Sequence, residues 1–195
     1  MSSTSWKKRA SSSRECAARI FAVDPDSDQG HGTVAYARLF QRRHDDAVTA
    51  AEKALSLCPN GAGHYHMAGM YYGYAGDLRK AIQYEEQAQR LSPLSRNESM
   101  VDEARARLHL GEMAAARDIA SRVLTGKPRW LTAQTVVAAA LWNLGQEEEA
   151  RATVSRMLAD HPNLTASRWA KGYPYRHQKD LDVLVRPLRR AGMPE

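Results

Sequence analysis

Cysteine is scarce in this chain of 195 residues, and long apolar runs are missing. The two cysteines, Cys16 and Cys58, show no close pairing pattern, so the sequence predicts neither a disulfide framework nor a cysteine metal site. The longest mildly apolar run, residues 133–144, carries polar side chains and falls short of the roughly 20 apolar residues that span a bilayer. The basic, serine-rich start lacks the apolar segment of a secretory signal. We therefore expect a cytoplasmic protein that does not enter the membrane.

Sequence signatures of catalysis are also lacking. No serine lies in a nucleophile-elbow context, and His64 and His66 stand two residues apart, which on a helix directs them to opposite sides rather than to one metal ion. Carboxylates are plentiful, as at Glu85, Glu86 and 147–149, but the pattern predicts exposed helices or turns for them, where charge runs are usually solvated. We therefore predict no catalytic residue, no metal and no cofactor.

Proline, in contrast, recurs at a nearly constant spacing, and small residues share its period. Five of the eight prolines are separated by 34, 34, 35 and 34 residues. A unit of about 34 residues accommodates two helices of about four turns and two short connections. Glycine can end the first helix in a left-handed conformation, and proline cannot continue the second. The repeating residues are Pro25, Pro59, Pro93, Pro128 and Pro162, Ala47, Ala81, Ala116 and Ala150, and Gly76, Gly111 and Gly145.

The stretch GHYHMAGMYYGYAGDLRKAIQYEEQAQRLSP, which ends at Pro93, resembles a tetratricopeptide repeat. The three other units match less fully, and in the first of them Arg42 replaces the turn glycine. The resemblance implies an all-α protein, an α–α superhelix of about four helix–turn–helix repeats with C-terminal capping helices. We expect a partial or degenerate repeat, or an N-terminal cap, at 1–29. The array at 30–163 divides at about 30–60, 61–95, 96–129 and 130–163, and capping helices and a tail occupy 164–195.

The C-terminal segment predicts the cap in more detail. Thr165 is expected to cap a short helix, and residues 178–191 are expected to form a second helix that Pro187 bends or interrupts. The ending YPYRHQKDLDVLVRPLRRAGMPE resembles the tail that closes repeat arrays in many bacterial nucleotide cyclases and related transcriptional regulators. That resemblance implies, as an alternative function, the regulatory portion of such a protein without its effector domain.

In tetratricopeptide arrays the first helix of each repeat lines a concave groove, and this predicts where a partner binds. Aromatic residues, methionine and arginine dominate binding hot spots, although half of the groove set could instead be core. Tyr72, Leu108 and Leu141 are expected in the core. We predict a scaffold or adaptor that binds a protein, peptide or helix with apolar anchors. The predicted groove residues are Tyr36, Phe40, His66, Met70, Tyr74, Arg105, His109 and Trp142.

The net charge of +6 makes nucleic acid a weaker alternative partner. Basic residues gather toward both ends of the chain, but Asp180 and Asp182 interrupt the C-terminal group, and no recognised reader motif accompanies them. Solubility and general electrostatic attraction account for this charge equally well. A protein partner is therefore the favoured prediction.

Overall fold

The structure, a computed structural model, describes residues 3–195, with side chains described from residue 12 onward except at 14 and 95. Within that range the chain forms eleven α-helices, one short 3₁₀ turn at Pro93–Ser95 and no strand, which confirms the predicted all-α fold. The helices are α1 Ser3–Val23, α2 Asp28–Phe40, α3 His44–Leu57, α4 Ala62–Ala75, α5 Leu78–Leu91, α6 Asn97–His109, α7 Met113–Gly126, α8 Leu131–Asn143, α9 Glu147–Asp160, α10 Ala166–Ala170 and α11 Gln178–Arg190.

The helices divide into two compact units, one up to Arg96 and one from Asn97 onward. In the first unit each helix from α1 to α5 packs against the next, and α2 also touches α4. In the second unit α6, α7, α8 and α9 pack in sequence, α6 touches α8, and α11 lies against α8. Contact between alternate helices is what stacks successive helix pairs on one another in a helical repeat.

Small side chains allow this close packing. Ala47, Ala81, Ala116 and Ala150, the alanines that share the repeat period, are all buried. A Cβ atom at Gly73 would lie 3.7 Å from the Ala81 side chain, so α4 and α5 approach closely at this point. The predicted core residues Tyr72, Leu108 and Leu141 are also buried, as expected.

The turns that follow α2, α4, α6 and α8 share one backbone conformation. Gly76, Gly111 and Gly145 all have positive φ, as predicted. Each is followed by a residue whose amide donates to the carbonyl five residues earlier, as from Asp77 to Tyr72, the Schellman pattern that closes a helix. The turn after α2 has the same conformation with Arg42 at φ 63°, and the Arg43 amide donates to the Arg38 carbonyl. Arginine therefore occupies a left-handed position that glycine fills in the other turns.

Replacing Arg42 with glycine is expected to stabilise the first unit by about 0.5–1 kcal/mol. The left-handed region costs an L-residue about 1–2 kcal/mol, and glycine relieves this cost. Part of the relief is lost because glycine is more flexible than arginine in the unfolded chain. Thermal unfolding should shift upward by a few degrees. Arg43→Gly is the matched control, because Arg43 has φ −95° and gains nothing from glycine. An equal rise in both variants, or a fall in Arg42→Gly, would contradict this account.

The C-terminal cap forms largely as expected. The Thr165 side chain accepts a hydrogen bond from the Arg168 amide at the start of α10. Of the two effects predicted for Pro187, bending or interruption of the last helix, interruption does not occur, since α11 runs through it. Proline inside a helix costs about 3 kcal/mol, but burying one leucine contributes about 1.5–3 kcal/mol. Leu184 and Leu188 are buried on either side of Pro187, and this packing offsets the lost hydrogen bond.

Candidate functional site

Four of the predicted groove residues lie on two helices of the first unit that touch each other, Tyr36 and Phe40 on α2 and His66 and Met70 on α4, and are called the first-unit face below. All four are half-buried. The Tyr36 and Phe40 rings meet edge to face, with centroids 4.6 Å apart. Burial raises the pKa of Tyr71 on α4, and neighbouring Tyr36 raises it further, which places Tyr36 close to α4. The face therefore offers partly exposed aromatic and thioether surface on two adjacent helices.

A buried carboxylate orients His66. Its Nδ1 lies 2.9 Å from Oε2 of Glu85, which is fully buried on α5, while the imidazole stays about one quarter exposed. A Cβ atom at Gly69 would come within 2.8 Å of Glu85, so the glycine leaves the space that this carboxylate fills. A buried charge is costly unless it is paired, and His66 supplies a partner. The His66 ring is thus held in a defined orientation at the first-unit face.

The prediction that Glu85 lies on an exposed helix is wrong. Glu85 follows Ala81 by four residues and precedes Ala88 by three, and all three residues are buried on one stripe of α5. Residues at this spacing share a helix face. The periodic alanines could therefore have placed Glu85 inside the fold, whereas its charge suggested solvent.

Tyr74 differs from the other predicted residues of the first unit, because it is buried. Neighbouring Tyr72 is buried too, and its hydroxyl donates to the Glu52 carboxylate on α3. Its pKa is raised, chiefly by burial and then by the hydrogen bond to Glu52. These tyrosines belong to the packed interior of the unit, whereas the four residues of the first-unit face are half-buried.

In the second unit, Arg105 and His109 on α6 lie against the chain's own C-terminal segment. Arg105 is buried, forms an ion pair of 3.0 Å with Asp102, and places its guanidinium 5.9 Å from the centre of the Tyr173 ring. His109 stacks on Tyr175 with ring centroids 5.1 Å apart and planes inclined by 21°. The Tyr-Pro-Tyr turn therefore occupies a surface that the sequence assigned to a partner.

This packing changes the acid–base properties of His109. Burial lowers its pKa to about 4, and the positive charge of Arg105 acts in the same direction, against a smaller opposing effect of the Arg105 carbonyl. Part of the residue is exposed, but both ring nitrogens are shielded from water. His109 is therefore neutral at neutral pH and serves as an aromatic surface for Tyr175.

Trp142 lies at a separate position, near the end of α8. The Arg151 guanidinium of α9 stacks over its ring at 5.1 Å. The ring also borders a groove of about 380 Å³ between α8 and α11, a volume at the lower end for ligand pockets. Sequence reasoning missed this groove because α11 contributes one wall. Asp182, Arg186 and Pro187 of α11 also line the groove.

These features define a helical-repeat protein. Its helices are paired, the turns between paired helices are left-handed, and successive pairs stack on small residues. Residues 64–93 match the tetratricopeptide repeat family. Together with the likeness to solved structures described next, this match supports a tetratricopeptide-repeat protein. Within the described part of the chain, no helix is long and apolar enough to cross a membrane.

Several solved structures share this fold at low sequence identity. PilW, described as a widely conserved type IV pilus biogenesis factor, aligns with a TM-score of 0.71 at 16% identity, over 97% of this chain and 88% of its own. Pseudomonas aeruginosa pilF aligns with a TM-score of 0.70 at 16% identity, over 93% and 82%. YrrB, described as a TPR protein with an unusual peptide-binding site, aligns with a TM-score of 0.61 at 17% identity, over 90% of each chain. Among curated proteins, none matches the sequence.

Proposed function

We propose that this protein is a protein–protein interaction module, and that its first-unit face binds a peptide or short helix carrying apolar anchors. The observation that carries the proposal is the cluster of half-buried Tyr36, Phe40, His66 and Met70 on the adjacent helices α2 and α4. Tetratricopeptide-repeat proteins generally mediate protein–protein interactions, and YrrB is described as having a peptide-binding site. The fold and the surface chemistry thus support the same function.

The chemistry of the face favours apolar and aromatic anchors over acidic ones. Tyr36, Phe40 and Met70 provide polarisable contact area, which aromatic and sulfur-containing side chains fill well. His66 adds one polar group whose orientation is fixed by Glu85. The second unit illustrates a related mode of contact, since Tyr173 and Tyr175 of the C-terminal segment pack on Arg105 and His109.

Met70→Ala is expected to weaken peptide binding at least about tenfold, the loss of about 1.4 kcal/mol that marks a modest hot spot. Peptides would be selected from a random library on the full chain, and their dissociation constants measured by isothermal titration. Met70 is half-buried on the face, so its truncation removes contact area directly. Arg79→Ala is the matched control, because Arg79 is exposed on α5.

Circular dichroism would verify that both variants fold. Peptides that bind Met70→Ala and the unaltered chain equally, or that lose affinity only with Arg79→Ala, would contradict the proposed site. Peptide affinity that falls steeply with salt would also contradict the proposal, because it would show charged contacts in place of apolar anchors.

The alternative of a regulatory array from a nucleotide cyclase or transcriptional regulator rests on the likeness of residues 173–195. In the structure this segment closes the second unit, with Leu184, Val185 and Leu188 buried. Covering the last helix pair is a packing role that a repeat array needs whatever its partner. The packing of the segment therefore does not favour cyclase regulation over the interaction function proposed here.

A further inference from the structure

Three potential metal ligands meet in the first unit, and none of them belongs to the first-unit face. They are Asp28, the first residue of α2, Cys58, which directly follows α3, and His64 in the first turn of α4. A carboxylate oxygen, the thiol sulfur and an imidazole nitrogen lie within 4.8 Å of one another. All three residues are half-buried, so their donor atoms are held by the fold but remain accessible to a small ion.

The turn between α3 and α4 holds two of these ligands close together. The Gly61 amide donates to the Cys58 carbonyl at 3.0 Å, and the His64 amide donates to the Gly61 carbonyl at 2.9 Å. A Cβ atom at Gly61 would lie 2.7 Å from the His64 ring and 3.0 Å from the Cys58 sulfur. The glycine therefore leaves the room that brings thiol and imidazole together, and the backbone fixes their positions.

Asp28 completes the cluster from the neighbouring helix pair. Its Oδ2 lies 2.7 Å from His64 Nε2. Its pKa is lowered, first by the hydrogen bond from His64, then by the Gln29 amide, with a smaller contribution from the Cys58 thiol. The carboxylate therefore accepts hydrogen bonds from the His64 imidazole and the Cys58 thiol, two side chains that are themselves good metal ligands.

We propose that Asp28, Cys58 and His64 bind a divalent transition-metal ion of the zinc type, with water completing a tetrahedral site. Thiolate, imidazole and carboxylate are the donors that zinc uses in proteins, whereas calcium and magnesium require oxygen ligands. One thiolate and one carboxylate balance the charge of a divalent ion. Binding releases the thiol proton and replaces the hydrogen bonds that now converge on Asp28.

Metal binding would require His64 and Asp28 to move slightly apart. Zinc bonds of about 2.0–2.2 Å to nitrogen and oxygen imply a tetrahedral nitrogen–oxygen separation of about 3.4 Å, compared with the present 2.7 Å between His64 Nε2 and Asp28 Oδ2. The bound ion would join the start of α2 to the turn between α3 and α4, and so would stabilise the stacking of two successive helix pairs.

Cobalt(II) titration of the reduced full chain tests the site directly, because a cobalt–thiolate bond gives a charge-transfer absorption that other ligands do not. We expect this band in the unaltered chain and its loss in Cys58→Ser. Cys16→Ser is the matched control and should retain the band, since Cys16 lies on α1 and is exposed. Zinc should displace cobalt and raise the temperature of thermal unfolding.

Zinc affinity would then be measured by competition with a chromogenic chelator. Changing a group that only supports a metal ligand lowers metal affinity about 10–100-fold. His64→Gln and Asp28→Asn remove the ligands themselves, so each should weaken zinc binding at least about tenfold. Both substitutions keep a polar side chain of similar size, and they serve as a second line of evidence if Cys58→Ser does not fold.

The proposal is overturned if the unaltered chain shows no thiolate band at saturating cobalt, or if Cys16→Ser removes the band while Cys58→Ser keeps it. Equal zinc affinity in the unaltered chain and in His64→Gln would also overturn it. None of these results bears on peptide binding at the first-unit face, because the metal cluster shares no residue with that face.

Discussion

Replacing Leu188 with alanine is expected to lower the free energy of unfolding of the second unit by about 2–5 kcal/mol. Leu188 lies on α11 and is completely buried. The lost side chain removes apolar contact and leaves a cavity that the surrounding helices fill only in part. Since α11 packs against α8, the interior of the second unit depends on this helix.

Urea unfolding followed by tryptophan fluorescence measures this loss, because Trp130, Trp142 and Trp169, three of the four tryptophans, belong to the second unit. Arg189→Ala is the matched control on the next residue of α11. Arg189 is exposed and pairs with Glu195 at the surface, so its truncation should change stability by no more than about 0.5 kcal/mol. Similar effects of the two substitutions would show that α11 does not close the unit.

The second large effect is a loss of stability of the second unit on acidification, caused by His109. Its pKa falls from an ordinary 6.5 to about 4 in the folded protein. The unfolded chain therefore binds a proton at a higher pH than the folded chain does, and protonation favours unfolding. The contribution of neutral His109 to the stability of the second unit is fully present above about pH 6.5 and is lost as the pH falls toward 4. The expected loss is about 2 kcal/mol at pH 5 and about 3 kcal/mol at and below pH 4.

His109→Phe should remove this component of the pH dependence while keeping an aromatic ring for Tyr175. Urea unfolding at a series of pH values between 7.5 and 4.5 would measure it. His177→Gln is the control, since His177 is exposed and should leave the pH profile unchanged. If the free energy of unfolding of the second unit depends on pH equally in the unaltered chain and in His109→Phe, then the fold does not hold His109 neutral.

Features set by the local backbone could be predicted from the sequence. The period of proline, alanine and glycine predicted paired helices, because each residue type has one conformational role at its position. Gly76, Gly111 and Gly145 take the left-handed turn as expected, and Arg42 takes it where the sequence departs from glycine. The Thr165 cap follows equally from a short-range rule, since the hydroxyl needs only a backbone amide three residues away.

Features set by contacts between distant segments could not be predicted in this way. Glu85 can be buried because His66 pairs with its carboxyl group and Gly69 leaves room for it. Both of these residues lie on another helix. Arg105 and His109 are covered because residues 173–175 return to α6, although helical spacing marked both as accessible. Asp28 and His64, 36 residues apart, meet because successive repeats stack. Periodicity places a residue on a helix face but does not show what covers that face.

The most direct test of the proposed interaction function is site-specific photo-cross-linking from the first-unit face. A photoreactive amino acid would replace Met70 in one variant and Arg79 on α5 in the other, and each would be exposed to the library-selected peptides. We predict cross-linking from position 70, with the attached residue an aromatic or aliphatic anchor of the peptide, and little from position 79. Efficient cross-linking from position 79 with none from position 70 would contradict the account.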